Sequence, residues 1–332
     1  MREQLHAIGI SYWRSAILRA AIKLDLFRLL GEQALTCEQI TRRLEADNTR
    51  RVGSFLEACT VLGLLTRDGD SYRNSELALT WLQPDRATYY GDLMIHLTNH
   101  WNTWAKLDEL VVNGKAQLPF ENGFVSEDRY WSDYMLGQHN RVLTGQGDNL
   151  ARHVDLTRRH TLLDLGGGTG GYSIAICQAH PHVQVDLVDQ TEPLQIARRL
   201  VKDAGLAQRI TLIEADMHTV RLDKQYDAVL ISGVVLLQSE AENRSIFQRA
   251  FEFLRPGGLI IIQDYLRLEY GDARHYLDTM MDLYVQLCFT PKAGDWRGTD
   301  IEVWMRDAGF TEIRKIPVPT HLAIMTAEKP VV

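Results

Sequence analysis

The chain of 332 residues contains no apolar run near the roughly 18–20 residues of a membrane-spanning helix. That absence excludes a helical membrane protein. Cysteine is scarce and scattered: Cys37, Cys59, Cys177 and Cys288 are far apart, with no C-x-x-C pair. They read as reduced core residues of a cytoplasmic protein. The N-terminal Met1–His6 stretch lacks the continuous apolar core of a signal peptide. Positive charge is not in excess either. Thirty-six Lys and Arg against 43 Asp and Glu give a net charge of −7, which argues against general nucleic-acid binding. Internal repeats and low-complexity tracts are also missing. What is present is an ordinary globular composition, 45% hydrophobic and 24% charged, in a chain long enough for two domains.

The richest segment is Thr161-Leu-Leu-Asp-Leu-Gly-Gly-Gly-Thr-Gly-Gly171. A short apolar run ending in glycines reads as a buried strand turning sharply into a helix. Glycines let the backbone approach a ligand, and the helix start after Gly170 offers unpaired N–H groups. Asp189 ends the next predicted strand, where a carboxylate can accept both hydroxyls of a ribose. The segment therefore reads as a nucleoside-cofactor site. Gly166, Gly168 and Gly171 also fit the G-x-G-x-x-G spacing of dinucleotide sites. Asp164, just before the glycines, would repel a pyrophosphate but could hold an amino-acid ammonium. A third acidic strand end, Ile210–Met217, and Leu254-Arg-Pro-Gly-Gly258 complete a pattern similar to the class I S-adenosylmethionine (SAM) methyltransferases.

Upstream, residues 11–30 place Trp13, Ile17, Ala20, Ala21, Leu24, Phe27 and Leu30 at helical spacing, which predicts one buried amphipathic helix. Thr36-Cys-Glu-Gln39 is a capping-box pattern opening a helix to about Leu44. Another helix begins near Asn48 or Thr49 and ends near Gly63. Leu64–Arg73 reads as strand, Asp-Gly turn, strand. Three helices and a hairpin make a winged-helix pattern, and that pattern invites a DNA-binding reading. Residues 1–85, however, carry eleven Lys/Arg and eleven Asp/Glu, so the net basic face that counterion release needs is not evident. Residues 89–150 are expected to be helical and aromatic. From Thr161 onward strands and helices alternate over 183–189, 193–204, 210–216, 226–235, 240–254 and 259–265, which implies a parallel sheet with helices on both faces. A helical stretch at 272–289, a helix at 301–308 and a strand pair at 312–318 and 321–328 close the chain. The predicted class is α/β, a Rossmann-like domain behind an all-α, winged-helix domain. Its expected boundaries are 1–85 for dimerisation, 86–155 for a helical linker and substrate pocket, and 156–332 for the cofactor domain.

Together these features resemble the dimeric small-molecule O-methyltransferase family, to which the caffeate and acetylserotonin enzymes and many bacterial tailoring enzymes belong. The matching segments are Leu24–Phe27, Leu62–Leu65, Asp164–Gly171, Asp189, Asp216-Met217, Leu254–Gly258 and Ala308–Phe310. The resemblance implies a homodimer that uses SAM, releases S-adenosylhomocysteine and modifies a small acceptor. By position, Asp164, Gly166, Gly167, Gly168 and Gly170 would line the methionine part of SAM. Asp189 would take the ribose, Asp216 and Met217 the adenine, and Ser232 would touch the cofactor. Met135 and His139 fall in a segment that in the family closes over cofactor and acceptor. Leu236, Met281, Tyr284 and Trp296 are further acceptor candidates.

At the catalytic position the resemblance breaks. Members that methylate oxygen carry His-Asp-Trp after the strand ending near Ser232, and the His takes the phenol proton. Here Leu236, Leu237 and Gln238 stand there, and no His occurs between His218 and His275. The carboxylates that would orient such a His are also missing, with Trp296 and Thr326 near their places. Three readings follow. Proximity and orientation can suffice for a good nucleophile, whether nitrogen, carbon, sulfur or an acidic hydroxyl. A substitute base could act, with His139 favoured over His275, Asp264 and Tyr284. Or the fold could bind SAM for non-methylating chemistry, such as hydroxylation or a pericyclic step. A SAM-sensing winged-helix regulator is a further alternative.

Two other constellations stand out. His96 and His100 lie one helical turn apart, a spacing that can bind metal. With no acidic third ligand nearby, pocket lining or else a plain solvated pair is the expected role, and no metal is assigned. Trp101, Trp104, Trp131 and Trp296 could form an apolar cage for a planar acceptor, or else serve as core.

Overall fold

The computed structural model describes residues 1–266, 276–292, 294, 296–318 and 322–331, with the side chains of 276–278 excepted. The chain separates into two compact units, one of residues 1–101 and 132–144, the other of residues 102–131 and 145–332. The 86–155 stretch is thus apportioned between the two.

The first unit begins with helices Arg2–Gly9 and Tyr12–Lys23. The single helix expected over 11–30 is broken. Asp25 takes a left-handed conformation (φ 51°), and a separate short helix Leu26–Leu30 follows. The break sorts the apolar set differently from an unbroken helix. Ala21, Leu26, Phe27 and Leu30 are buried, whereas Trp13 and Leu24 are about half exposed, at 51% and 46%. Thr36 closes the expected capping box with Gln39 and starts helix Cys37–Arg43. Asn48 caps helix Thr49–Val61 by accepting the Arg51 N–H. Strands β1 (Leu35–Thr36), β2 (Leu65–Asp68) and β3 (Ser71–Asn74) form a small antiparallel sheet in the order β1-β3-β2. Asp68 pairs with Ser71, so the turn residues are Gly69 (φ 57°) and Asp70 rather than Asp68 and Gly69.

Helices Gly91–Asn99 and Glu127–Arg141 meet closely in this unit. A β-carbon on Gly137 would lie 3.0 Å from the Leu93 Cα, so glycine permits the approach. A buried polar chain ties the helices together. Arg19 donates to the Ile95 carbonyl, Thr98 Oγ1 and Asn99 Oδ1, and Asn99 Nδ2 donates to Asp133 Oδ2 at 2.9 Å.

The second unit holds a seven-stranded sheet made of β4 (Thr161–Leu165), β5 (Gln184–Asp189), β6 (Ile210–Glu214), β7 (Tyr226–Ser232), β8 (Leu254–Asp264), β9 (Thr311–Pro317) and β10 (Ala323–Glu328). Its order is β6-β5-β4-β7-β8-β10-β9. The first five strands are parallel, and β10 is antiparallel to both β8 and β9. Near-continuous apolar runs such as Leu162–Leu165 and Ala228–Ile231 are buried on both faces, as parallel strands covered by helices require. One face packs on helices Glu240–Phe253 and Gly298–Asp307. The other packs on Gly147–His153, Gly171–Ala179 and Thr191–Asp203. Helix Tyr276–Cys288 and β10 fall within the expected 272–289 and 321–328 segments, whose first residues, 272–275 and 321, lie outside the described residues. The strand order reverses between β4 and β7, the switch point where open α/β sheets bind ligands beyond the strands' carboxyl ends.

Candidate functional site

β4 delivers Asp164 and the glycine turn to that switch point. Gly166 N–H donates to the Val188 carbonyl at 2.9 Å, which ties the turn to β5. Gly166 is left-handed (φ 73°), and a β-carbon there would meet Val234 at 2.9 Å and the Met217 sulfur at 3.3 Å. On Gly167 a β-carbon would sit 2.5 Å from Leu187 and 2.8 Å from Asp164 Oδ2. Glycine is therefore sterically required at both positions. The packing brings Met217 and Val234 against the turn, so Asp164, Gly166, Gly167 and Met217 form one cradle.

Asp164 is 2% exposed and accepts a 2.6 Å hydrogen bond from Ser173 Oγ, one turn into helix Gly171–Ala179. Burial pushes its carboxyl up to about 7, opposed by the Ser173 bond and reinforced by the nearby Asp189 charge. Asp189 is half-buried. Its Oδ2 accepts the Gly168 N–H at 2.7 Å and its Oδ1 the Gln190 N–H at 2.7 Å. Burial raises its pKa, and those two backbone bonds lower it. Asp216 is exposed past β6, with Oδ1 accepting the His218 N–H. Ser232 Oγ accepts from Gln263 Nε2 at 3.2 Å.

These groups suit SAM. Two carboxylates at the mouth of a glycine cradle match an ammonium and a pair of hydroxyls, while a pyrophosphate would meet only repulsion from Asp164. Asp164 and the glycines would hold the amino-acid end, Asp189 the ribose, and Met217 an adenine face. Ser173 was not singled out from sequence. A serine on the first turn after the glycines, nine residues beyond Asp164, was its only signal.

Beyond Ser232 the chain makes a 3-10 turn, Val235–Leu237. Asp264, fully buried at the end of β8, accepts the Leu236 N–H through Oδ2 at 3.2 Å and the Tyr265 N–H through Oδ1 at 2.8 Å. Burial pushes its carboxyl up to about 7 against those backbone bonds. A carboxyl committed to backbone amides braces the turn, a role the sequence reading of Asp264 as a substitute base did not include. Asn243 braces the other side by donating to the Val235 carbonyl at 3.0 Å. The Leu236 side chain packs among Met281, Tyr284, Val285, Leu287 and Cys288, with Trp104, Tyr265 and Phe289 at the margin. Three acceptor candidates, Leu236, Met281 and Tyr284, are thereby brought together.

Trp296 is not in that cluster. Its ring lies edge-on to Trp304, 5.1 Å away, and its Nε1 donates to the Gln238 carbonyl. Trp131 packs on Tyr130 and Phe120. A shared cage of Trp104, Trp131 and Trp296 is therefore replaced by three separate neighbourhoods, because each ring is claimed by a different local core.

The remaining candidates belong to the first unit. Trp101 meets Tyr12 edge-on at 6.0 Å, and Met135 is half-buried on helix Glu127–Arg141. His139, on the same helix, is buried. His96 and His100 are buried edge-to-face at 5.1 Å, with Tyr134 on His96 at 5.0 Å. Burial holds His100 down at about 3 and His96 well below the usual imidazole range, so both are neutral. Among the described residues, no group of three or more His, Cys, Asp or Glu is placed to hold a metal ion. His275 lies outside the described residues.

Comparison with known proteins gives the family. Residues 104–311 match the O-methyltransferase domain and residues 8–84 the O-methyltransferase dimerisation domain. The tetracenomycin polyketide synthesis 8-O-methyl transferase TcmO of Streptomyces glaucescens is 27% identical over 96% of this chain and 94% of its own. The 3-hydroxy-5-methyl-1-naphthoate 3-O-methyltransferase of Streptomyces sahachiroi is 28% identical over 93% and 89%. Further relatives include N- and C-methyltransferases and a hydroxylase. Among solved structures, human N-acetylserotonin methyltransferase in complex with SAM superposes with a TM-score of 0.88, at 20% identity over 99% of this chain and 97% of its own. No helix among the described residues is long and apolar enough to cross a membrane. With its glycine cradle, acidic strand ends and both domain matches, the chain belongs to the SAM-dependent O-methyltransferase family.

Proposed function

We propose that this enzyme methylates a small, planar, conjugated acceptor by holding it in line with the donor, without a general base at the family's His position. The observation that carries the reading is Leu236, an apolar side chain on a turn braced by Asp264 and Asn243 and packed among Met281, Tyr284 and Val285. When bound, SAM supplies a sulfonium-activated methyl group. The residues then have separate tasks. Asp164, oriented by Ser173, pairs with the ammonium; Asp189 accepts from ribose hydroxyls; Met217 and Ser232 border the rest of the cofactor. Leu236, Met281 and Tyr284 exclude water and fix the acceptor plane. Proximity and orientation of that kind can supply about 7–11 kcal/mol of barrier reduction when reacting atoms are held near 3–3.5 Å.

The acceptor atom follows from the same argument. A group ionised or nucleophilic near neutral pH, such as an acidic naphthol or quinone hydroxyl, a ring nitrogen or an activated carbon, needs no imidazole. The relatives named for a polyketide and a naphthoate act at oxygen, which makes a polycyclic hydroxyl the first acceptor to try. Residues 1–85 are taken as the dimerisation domain of a homodimer, 86–155 as a connecting region and 156–332 as the cofactor domain. The test is release of S-adenosylhomocysteine with a panel of polycyclic phenols graded by pKa. Turnover should rise as acceptor pKa falls towards 7 and be negligible for phenols near 10. A hydroxylase among the relatives favours a second reading, SAM-bound non-methylating chemistry. Product oxygenation with SAM left intact would establish it instead.

A further inference from the structure

The antiparallel end of the sheet has no crossover helix of its own. Each parallel crossover sends a helix over the sheet, but β10 follows β9 through a short connection and needs none. On the face shared by Leu259, Ile316 and Ile324, the three helices Gly147–His153, Gly171–Ala179 and Thr191–Asp203 pack over the β4, β5 and β6 side. Past β8 that face opens into a hollow of about 570 Å³, walled by residues 153–159 and floored by β8, β10 and β9. The volume suits a small-molecule ligand. Leu259 and Glu328 are partners in register near the amino end of β8, so the hollow lies at the opposite end of the parallel strands from Asp164 and Asp189.

Its lining is amphipathic. Val154, Leu259 and Ile316 supply apolar surface, and Arg158, Arg159 and Arg314 supply cationic groups against Asp155 and Glu328, with His153 beside them. The charges are not equivalent. Arg159 is occupied: it donates to the carbonyls of Asp227 and Gly257 and pairs with Glu328 at 3.5 Å. Asp155 is turned onto Thr157, whose N–H and Oγ1 both donate to its Oδ1. Arg158 and Arg314 have no hydrogen bond or ion pair among the described residues, although the Arg158 charge helps to lower the Asp155 pKa. Arg314 stands opposite Thr326 on the same face as Ile316 and is exposed on the edge strand β9. Its guanidinium fork can match an oxyanion in bidentate fashion.

We propose that this hollow is a second ligand site, taking a small molecule with an oxyanion on an apolar body, with Arg158 and Arg314 gripping the oxyanion. Carboxylate and phosphate share that chemistry, so the probes separate them. The full-length protein is titrated calorimetrically at low ionic strength with 2-naphthoate, 2-naphthyl phosphate and the neutral 2-naphthalenemethanol. Saturable binding of at least one anion is expected. It should weaken tenfold or more in Arg158→Ala/Arg314→Ala and partly recover in Arg158→Lys/Arg314→Lys, with SAM affinity unchanged in both. Absence of saturable anion binding overturns the proposal. So does equal binding by the neutral probe, or anion binding indifferent to the arginine variants, which would place the probe elsewhere. A change of oligomeric state in Arg158→Glu/Arg314→Glu, read by light scattering, would make the hollow an interface between copies and also overturn it.

Discussion

Acidifying the protein from pH 7.0 to 5.5 is expected to weaken SAM binding about 15-fold. The reasoning starts from Asp164, buried at the glycine turn with its carboxyl raised to about 7. Only the ionised form attracts an ammonium, and with a midpoint near 7 the ionised fraction falls from about one half to about 3% across that interval. The ligand's α-ammonium, with a pKa of about 7.7–8.0, remains mostly charged throughout, so it contributes little to the change. Binding should release a proton near pH 6.5, detectable calorimetrically as a buffer-dependent enthalpy. Ser173→Ala removes the bond that favours the carboxylate and should move the midpoint up by about one unit or more. In Asp164→Asn the acid limb should vanish and the affinity at pH 7 should drop. Far-UV circular dichroism at pH 5.5 checks that the fold is intact. A flat profile, or an Asp164→Asn variant that binds like the parent, would refute the assignment. A limb that survives in Asp164→Asn would transfer it to Asp189, whose pKa is also raised by burial.

The ligand-free protein should behave oppositely. The raised carboxyls of Asp164 and Asp264 contribute stability that is fully present below about 4 and lost as pH rises through about 7, so the apo Tm should fall between pH 5.5 and 8. Gly167→Ala drives a methyl to 2.5 Å from Leu187, an overpacking that should cost roughly 1–3 kcal/mol and weaken SAM binding; a parent-like Tm and affinity would contradict the close approach. Leu236→Ala should lower kcat/KM through pocket shape, mainly by raising KM, while turnover in His139→Ala and His139→Gln should stay within about tenfold of the parent. A loss of a hundredfold or more at His139, with SAM binding intact, would identify it as the base. Leu5 and Ile8 are 70% and 65% exposed on a helix with no buried residue, so Leu5→Glu/Ile8→Glu should split a homodimer without unfolding it. A parent that is monomeric in light scattering would remove that interface.

Much of the fold was legible because its signals are local. Thr36-Cys-Glu-Gln39 closes a capping box within four residues, and the β4, β5 and β6 runs end at their acidic residues within two positions of expectation. The break at Asp25 was not legible, because the apolar spacing of residues 11–30 continues across it. Only the packing of Leu26, Phe27 and Leu30 into the small domain shows why the chain turns there. The tryptophans misled for a related reason. Aromatic content says that a ring will be buried, not against what, and Trp131 and Trp296 found separate partners.

From residues alone the cofactor class was determined. A glycine turn after a strand, with carboxylates at the next strand ends, leaves few chemistries open, since charge sign and backbone access are properties of residue type. Where the resemblance leads one to expect a histidine the sequence carries Leu236, and an apolar side chain cannot take a proton wherever it points. Tertiary structure decided what surrounds those residues. It put Asp264 on the Leu236 amide, joined Ser173 to Asp164, and set Leu236 against Met281 and Tyr284. It also opened the hollow beside Arg314. Each of these depends on strands and helices far apart in sequence meeting at fixed register, and on which side chains that meeting buries. Neither is written in any single stretch of chain.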